Sequence, residues 1–403
     1  MVADYIPFVS GNDNAKLAGH VFPDATVYRV SLDRIAAIRS NLAKTNFWVD
    51  PGVDGFDDLN VRIPPPPKPD GSQWKNSWHD RVRKYSNYKQ IGDPGFQQKP
   101  DTTLVEEFVD DVLDACASEK PAWITVPQLP YVDDASRNKI NRALASATGA
   151  WRTRNGFRGK LILPIIFTTQ NPINTGRRPR VELAEDCFAR SSADGVWVVD
   201  SSLEEESCAS TISDTRLPNL IHLHEELAEA IPNCLRIAGP YWGINILLWA
   251  KGLVDHPAIS VGTGYSYSVS GGQMKQGSVR LAIPPLRRRV KAATSHFGKW
   301  IHDAMKKIPS SDPRFAEMLA LQQALPQFRL NEDRAKRQVA EFYRRWFDLI
   351  SVHPKAGRAM ALFQDLSSAY AFGSHLPPLP DEVGSALARK PGSAAQCLML
   401  HCL

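Results

Sequence analysis

No stretch of the 403-residue chain approaches the ~18 to 20 consecutive apolar residues of a membrane span. The N-terminus, MVADYIPFVSGNDN, has no basic segment followed by an apolar run. A chain of this kind is expected to be cytoplasmic, with no membrane partner. Six cysteines (Cys116, Cys187, Cys208, Cys234, Cys397 and Cys402) are scattered without a CxxC pair, which fits reduced thiols better than a disulfide framework. GxGxxG is absent, and SGGQ at 270–273 lacks the flanking strand and helix of a phosphate-cradling loop. No nucleotide-cofactor fold, P-loop or cofactor is therefore expected.

Composition is ordinary for a globular chain, at 43% apolar and 23% charged, which argues against long disorder. The formal charge of +5 is mild. Between Lys275 and Lys307, however, nine basic residues face one acid, Asp303. This cluster can hold phosphate or nucleic acid, or serve as a solvated helix face.

Short apolar runs recur, most of them followed by turn residues and then a helical pattern, the mark of repeated βα units. Strands are predicted near 26–30 (TVYRV), 46–50 (NFWVD), 122–126, 161–167 (LILPIIF), 195–200 (GVWVVD), 235–239 (LRIAG), 258–262 and 279–283. LILPIIF and GVWVVD are apolar on both faces, as strands between a barrel lumen and covering helices must be. A helix over 103–116 carries an apolar stripe behind a Thr103-x-x-Glu106 capping box, and Ser31 is expected to cap another. Eight strands predict an α/β fold, a (β/α)₈ barrel over residues 1–286. The Gly/Ser-rich 263–278 segment allows instead a terminal hairpin, an incomplete barrel or a doubly wound open sheet. Residues 51–101, with the PPPP run and Trp74, Trp78, Tyr85 and Tyr88, are expected to form a packed lid. From 287 to 403 helices are expected at 287–307, 313–325, 332–350 and 355–373, an extension packed on the barrel.

In such a barrel, polar residues that terminate strands line the site at the rim. Asp50 ends FWVD and opens DPGVDGFDD, which also holds Asp54; Gln128 follows WITVP; Gln170 follows LILPIIF; Asp200 ends VWVVD. Asp50 and Asp200, if they face each other, form the paired carboxylates of nucleophilic and general-base chemistry; the alternative for each is a turn or cap role. Tyr241 and Trp242 in AGPYWG and Tyr265 beyond the next strand offer flat surfaces for a planar ring, or else anchor loops. In HLHEE, His222 and His224 stand two apart and point to different faces of a helix, so they cannot chelate together. His224 and Glu225 are expected on a helix surface, and no metal is expected at this motif or at Cys397, His401 and Cys402. No predicted strand ends in lysine, which disfavours a Schiff-base aldolase or lyase.

The order FWVDPGVDGFDD, WITVPQLPY, LILPIIFTTQ, ADGVWVVDSS, LRIAGPYWG and AISVGTGYSYS, over roughly 46–270, resembles the tRNA-guanine transglycosylase superfamily of barrels. That superfamily includes DNA-modifying and anti-phage relatives that handle 7-deazaguanines. Its DSGGFQ block and cysteine-rich zinc site are absent from this sequence. The resemblance implies a base-exchange enzyme acting on a purine-like base of nucleic acid or a nucleotide, with Asp50 or Asp200 as nucleophile and the other as general acid/base. It further implies that Gln128 and Gln170 read the base edge, that Tyr241, Trp242 and Tyr265 stack on it, and that Arg287, Arg288 and Arg289 hold phosphates. The alternative is a non-catalytic barrel that acts as a binding or scaffold subunit of a multi-protein (defence) assembly, with a protein as its partner.

Overall fold

Four residues near the N-terminus, too short and too proline-interrupted to read as a strand in sequence, close the barrel. The computed structural model describes residues 4–42, 46–57, 82–132, 134–167, 177–201, 203, 216–261, 280–291, 295–380 and 389–403. Within them, β1 (Ile6–Val9), β2 (Tyr28–Ser31), β3 (Phe47–Asp50), β4 (Trp123–Thr125), β5 (Lys160–Phe167), β6 (Gly195–Asp200), β7 (Leu235–Ala238) and β8 (His256–Ser260) form a closed parallel barrel in sequence order. β1 pairs with both β2 and β8, with Phe8 opposite Arg29 and Ser260.

Helices cover this wall: α1 (Asn12–Val21), α2 (Ile35–Arg39), α3 (Tyr88–Ile91), α4 (Pro94–Gln98), α5 (Thr102–Ala117), α6 (Ala135–Asn155), α7 (Arg177–Ser191), α8 (Arg216–Ala230) and α9 (Ile244–Ala250). The eighth strand expected at 279–283 exists as β9 (Arg280–Ile283), but it pairs antiparallel with β10 (Arg288–Lys291) outside the barrel. The expected helix over 287–307 correspondingly begins later, as α10 (Ser295–Met305), and is followed by α11 (Pro313–Leu330), α12 (Glu332–Ser351), α13 (Arg358–Ser374) and α14 (Ser393–Met399). No helix among the described residues is long and apolar enough to cross a membrane.

The capping details differ from expectation. Asp101, not Thr103, caps α5 by accepting from the Leu104 amide at 3.1 Å. Ser31 ends β2 and donates to Asp33, while α2 has no side-chain cap. Both misreadings have one cause: several Ser, Thr and Asp residues precede each helix, and local sequence does not choose among them.

Three apolar cores result. Strand alternation sends Ile6, Phe8, Trp48, Trp123, Ile162, Ile166, Trp197, Val199, Ile237 and Ala258 into the lumen, and the intervening residues into the layer beneath the helices. Lumen rings interlock edge to face, with Trp48 5.6 Å from Phe8 and 5.3 Å from Trp197. A separate cluster joins the β9–β10 hairpin (Leu281, Ile283, Val290) to Phe297, Trp300 and Ile301 of α10 and Met318 and Leu321 of α11. The Gln338 side-chain amide of α12 ties in the hairpin by accepting from Ala282 N–H at 3.0 Å and donating to its carbonyl at 2.9 Å, as a neighbouring strand would.

Candidate active site

Among the described residues, the polar side chains of the barrel mouth lie on one side. Alternation on β2, β3, β4 and β8 turns Arg29, Ser31, Asp50, Thr125 and Ser260 toward the lumen above the tryptophan floor, whereas β5 and β6 present Ile166 and Val199 there. Ser31 and Asp50 stand opposite each other in register. Thr125 accepts the Trp48 indole N–H at 2.8 Å, which fixes the ring beneath the site.

Asp50 is the centre of this arrangement. Its carboxylate is buried and forms an ion pair with the Arg29 guanidinium through Oδ2, while the Gly52 amide donates to Oδ1 at 3.0 Å. Arg29 lies over the Phe8 and Trp197 rings, 4.8 and 5.2 Å from their centroids. Its side chain remains 14% exposed against 2% for Asp50, so the pair opens to solvent through the arginine. The turn after β3, residues Val53–Asp57, carries Asp54, also buried, and places Phe56 against Phe108 of α5. Each Asp50 oxygen keeps a lone pair beyond its one donor, so it can still act on a substrate atom.

Asp200 does not join Asp50. It shares the face of β6 that carries Val196 and Val198 outward to the helices, whereas Asp50 shares the lumen face of Trp48. The expected facing pair is thus split across the barrel wall. Asp200 instead donates its backbone N–H to the Tyr241 hydroxyl. Burial, reinforced by the Asp200 charge, pushes the Tyr241 hydroxyl well above its ordinary pKa, so it stays protonated. The loop before Tyr241 turns through Gly239, where φ is +91° and a Cβ would meet the Asn245 amide at 2.3 Å, so only glycine fits.

The other expected site residues fall elsewhere. Gln128 is buried, and its amide nitrogen donates to the Pro127 carbonyl and, at 3.0 Å, to the Asn141 carbonyl of α6; it ties the rim loop to that helix. Trp242 packs against Phe342, Tyr343 and Trp346 of α12 and donates to the Arg287 carbonyl at 3.0 Å. Arg287 forms a two-pronged ion pair with Asp365, Arg288 donates to the Lys390 carbonyl, and Arg289 lies 5.0 Å over Trp242. Arg288 and Arg289 are buried, and with Arg287 this RRR run staples the extension to the β7 loop. Burial pulls the Arg289 pKa down to about 9. Gln170, Tyr265, Trp74 and Trp78 lie outside the described residues.

His224, expected on a helix surface, is buried on α8, while His222 is exposed and pairs with Glu225 at 2.9 Å. Among the described residues no three His, Cys, Asp or Glu side chains converge as a metal site would require. Sequence reasoning missed Arg29. Its signal was present, since a lone charge inside TVYRV can be buried only with a carboxylate beside it. No family model matches the chain, and no curated protein matches it.

Proposed function

We propose that the chain is a glycosyl-transferring barrel enzyme acting on a purine-like base of nucleic acid or of a nucleotide, with Asp50 as its nucleophile. The observation that carries this reading is the Arg29–Asp50 pair at the C-terminal mouth of a closed parallel barrel. Parallel barrels build their reaction centres at this end. A buried ion pair, in contrast, adds little net stability over an apolar pair of the same volume, so stability alone is a weak reason for it.

In the reaction, an Asp50 oxygen forms a bond to the sugar C1′ as the C1′–N bond to the base breaks. The electron pair of that bond leaves on the base nitrogen, which takes up a proton. A second base then displaces the carboxylate through its own nitrogen and gives up a proton, so the exchange is balanced. The Gly52 amide and Arg29 hold the carboxylate in place. Asp200 supports the rim through Tyr241 and takes no part in bond making.

The test is incorporation of radiolabelled guanine, or a labelled 7-deazaguanine, into bulk tRNA and into duplex DNA. Wild-type protein incorporates label, and Asp50→Asn lowers the rate by at least about 1,000-fold. No incorporation by the wild type, or an undiminished Asp50→Asn, overturns the reading. The second reading, a non-catalytic binding or scaffold barrel, is favoured by the mutual neutralisation of Arg29 and Asp50; it predicts salt-insensitive binding to a protein and no exchange.

A further inference from the structure

Among the described residues, the large apolar side chains that stay exposed are Leu349, Val352, Met360, Leu400 and Leu403, between 46% and 77% open to solvent. All of them lie at one end of the helical extension. Leu349 and Val352 stand three residues apart where α12 stops, so they share a face. Met360, in the first turn of α13, continues the stripe of Phe363 and Ser367. That stripe faces α14, since the Ser367 hydroxyl meets the Met399 sulfur at 3.0 Å. Further along, Gly373 lies against Gly392, so the two helices run antiparallel and Met360 points toward the turn after Met399 that carries Leu400 and Leu403.

The same end carries positive charge that is not spent within the chain. Arg345 precedes Leu349 by one turn on the same ridge and donates to the Glu341 backbone carbonyl at 3.3 Å. The Lys355 side chain, between α12 and α13, lies against Gly252. Lys251, next to that glycine, adds its charge to burial in holding the His401 pKa down, which places it beside Leu400. None of these three cations has an acidic partner among the described residues. The acids around them are already paired, Asp348 with Arg344, Glu341 with Arg337 and Asp4 with Arg358.

The patch borders the N-terminal end of the barrel, because Lys251 and Gly252 lie between α9 and β8 and Arg358 reaches Asp4 just before β1. Asp50 ends β3 at the opposite mouth. An occupant of the patch therefore leaves the mouth open to substrate.

We propose that this end of the extension is the docking surface for an acidic amphipathic segment of a partner protein. Its apolar side covers Leu349, Val352, Met360 and Leu400, and its carboxylates meet Arg345, Lys251 and Lys355. Apolar side chains rimmed by unpaired cations call for an occupant that has both characters. A second copy of the chain fits poorly, since an isologous contact sets the same cations against each other. An anionic membrane fits less well than a peptide: surface-binding segments present Trp or Phe beside rows of Lys and Arg, and no aromatic stands among the exposed large apolar side chains here. Docking at this end does not depend on base exchange at the other.

Fluorescence anisotropy with labelled peptides of about 18 residues tests it. One peptide carries leucines along a single helical face and glutamates elsewhere, the second has lysines in place of the glutamates, and the third is the first with its order scrambled. The intact chain binds the acidic amphipathic peptide at least about 10-fold more tightly than either of the others, and rising salt weakens that binding. The variant Val352→Ser, Met360→Ser, Leu400→Ser and the variant Arg345→Gln, Lys251→Gln, Lys355→Gln each lower the affinity about 10-fold or more. Val352→Glu, at the most exposed of these positions, lowers it alone, and a urea midpoint equal to that of wild type shows that the fold is kept. No binding of the acidic peptide, equal affinity for all three peptides, or variants that bind as wild type does overturns the proposal. Without peptide binding, sedimentation with vesicles of phosphatidylcholine and phosphatidylserine assigns the patch to a membrane instead, and dimerisation that Val352→Glu abolishes assigns it to a second copy.

Discussion

Arg29 and Asp50 sit on neighbouring strands of the lumen, and their pairing can be separated into a fold contribution and a functional one. Arg29→Met strands a carboxylate that is 2% exposed, at an expected cost of about 3 to 5 kcal/mol in urea unfolding. Combining it with Asp50→Leu removes both charges and recovers most of that loss, because an apolar pair of similar volume replaces a desolvated ionic one. The double variant is therefore expected to fold and to lose base exchange. A double variant as unstable as Arg29→Met alone would mean that the pair serves the fold itself. The aspartate was legible from FWVD, where a charge terminates an apolar strand; for the arginine, the lone charge inside TVYRV signalled that a carboxylate must lie beside it but not which carboxylate that is. Asp200 shows the converse. It too terminates an apolar strand, yet one step in the period-two alternation sends it to the other side of the wall.

At the scale of elements, α6 and α7 meet at a glycine. A Cβ on Gly149 would lie 2.2 Å from the Arg190 carbonyl oxygen at the end of α7. Alanine ordinarily gains about 1 kcal/mol over glycine inside a helix, but here the helices must separate. Gly149→Ala is expected to destabilise the chain by about 2 kcal/mol in urea unfolding, as overpacking does. Gly357→Ala, where a Cβ meets nothing within 4 Å, is expected to stay within about 0.5 kcal/mol of wild type and serves as the control. The spacing of apolar residues located α5, α11 and α12 to within a few residues, since each carries a long stripe. It located β1 not at all: IPFV is four residues long, contains proline, and becomes a strand only because β2 and β8 stand ready on either side.

Across the whole molecule, burial couples stability to pH through His224. Neither of its ring nitrogens has a hydrogen-bond partner among the described residues, and burial, with a smaller push from Arg236, pulls its pKa down to about 3. The folded chain keeps His224 neutral, whereas the unfolded chain takes up a proton near pH ~6.5. Its contribution is therefore complete above that pH and is lost as pH falls toward 3, at about 1.4 kcal/mol per pH unit. Between pH 7 and pH 5 wild type should lose roughly 2 kcal/mol from this residue. His256, whose pKa burial also lowers, adds in the same direction. His224→Leu is expected to flatten the dependence by about one proton; urea midpoints measured at the two pH values check this, and an unchanged slope would contradict it.

The period-two and helical patterns and the polar ends of apolar strands pointed to a (β/α)₈ barrel, placed seven of its eight strands and located its mouth, because these depend on local periodicity and on which residues can be buried. Which strand closes the barrel, which side of the wall each terminal carboxylate faces, and whether three consecutive arginines meet solvent or a packed helix were decided only in three dimensions. Each depends on a partner far away in sequence: β8 for β1, Arg29 for Asp50, and Asp365 and Trp242 for the arginines. A buried charge is tolerated where such a partner arrives, and no local pattern in the chain says where that will be.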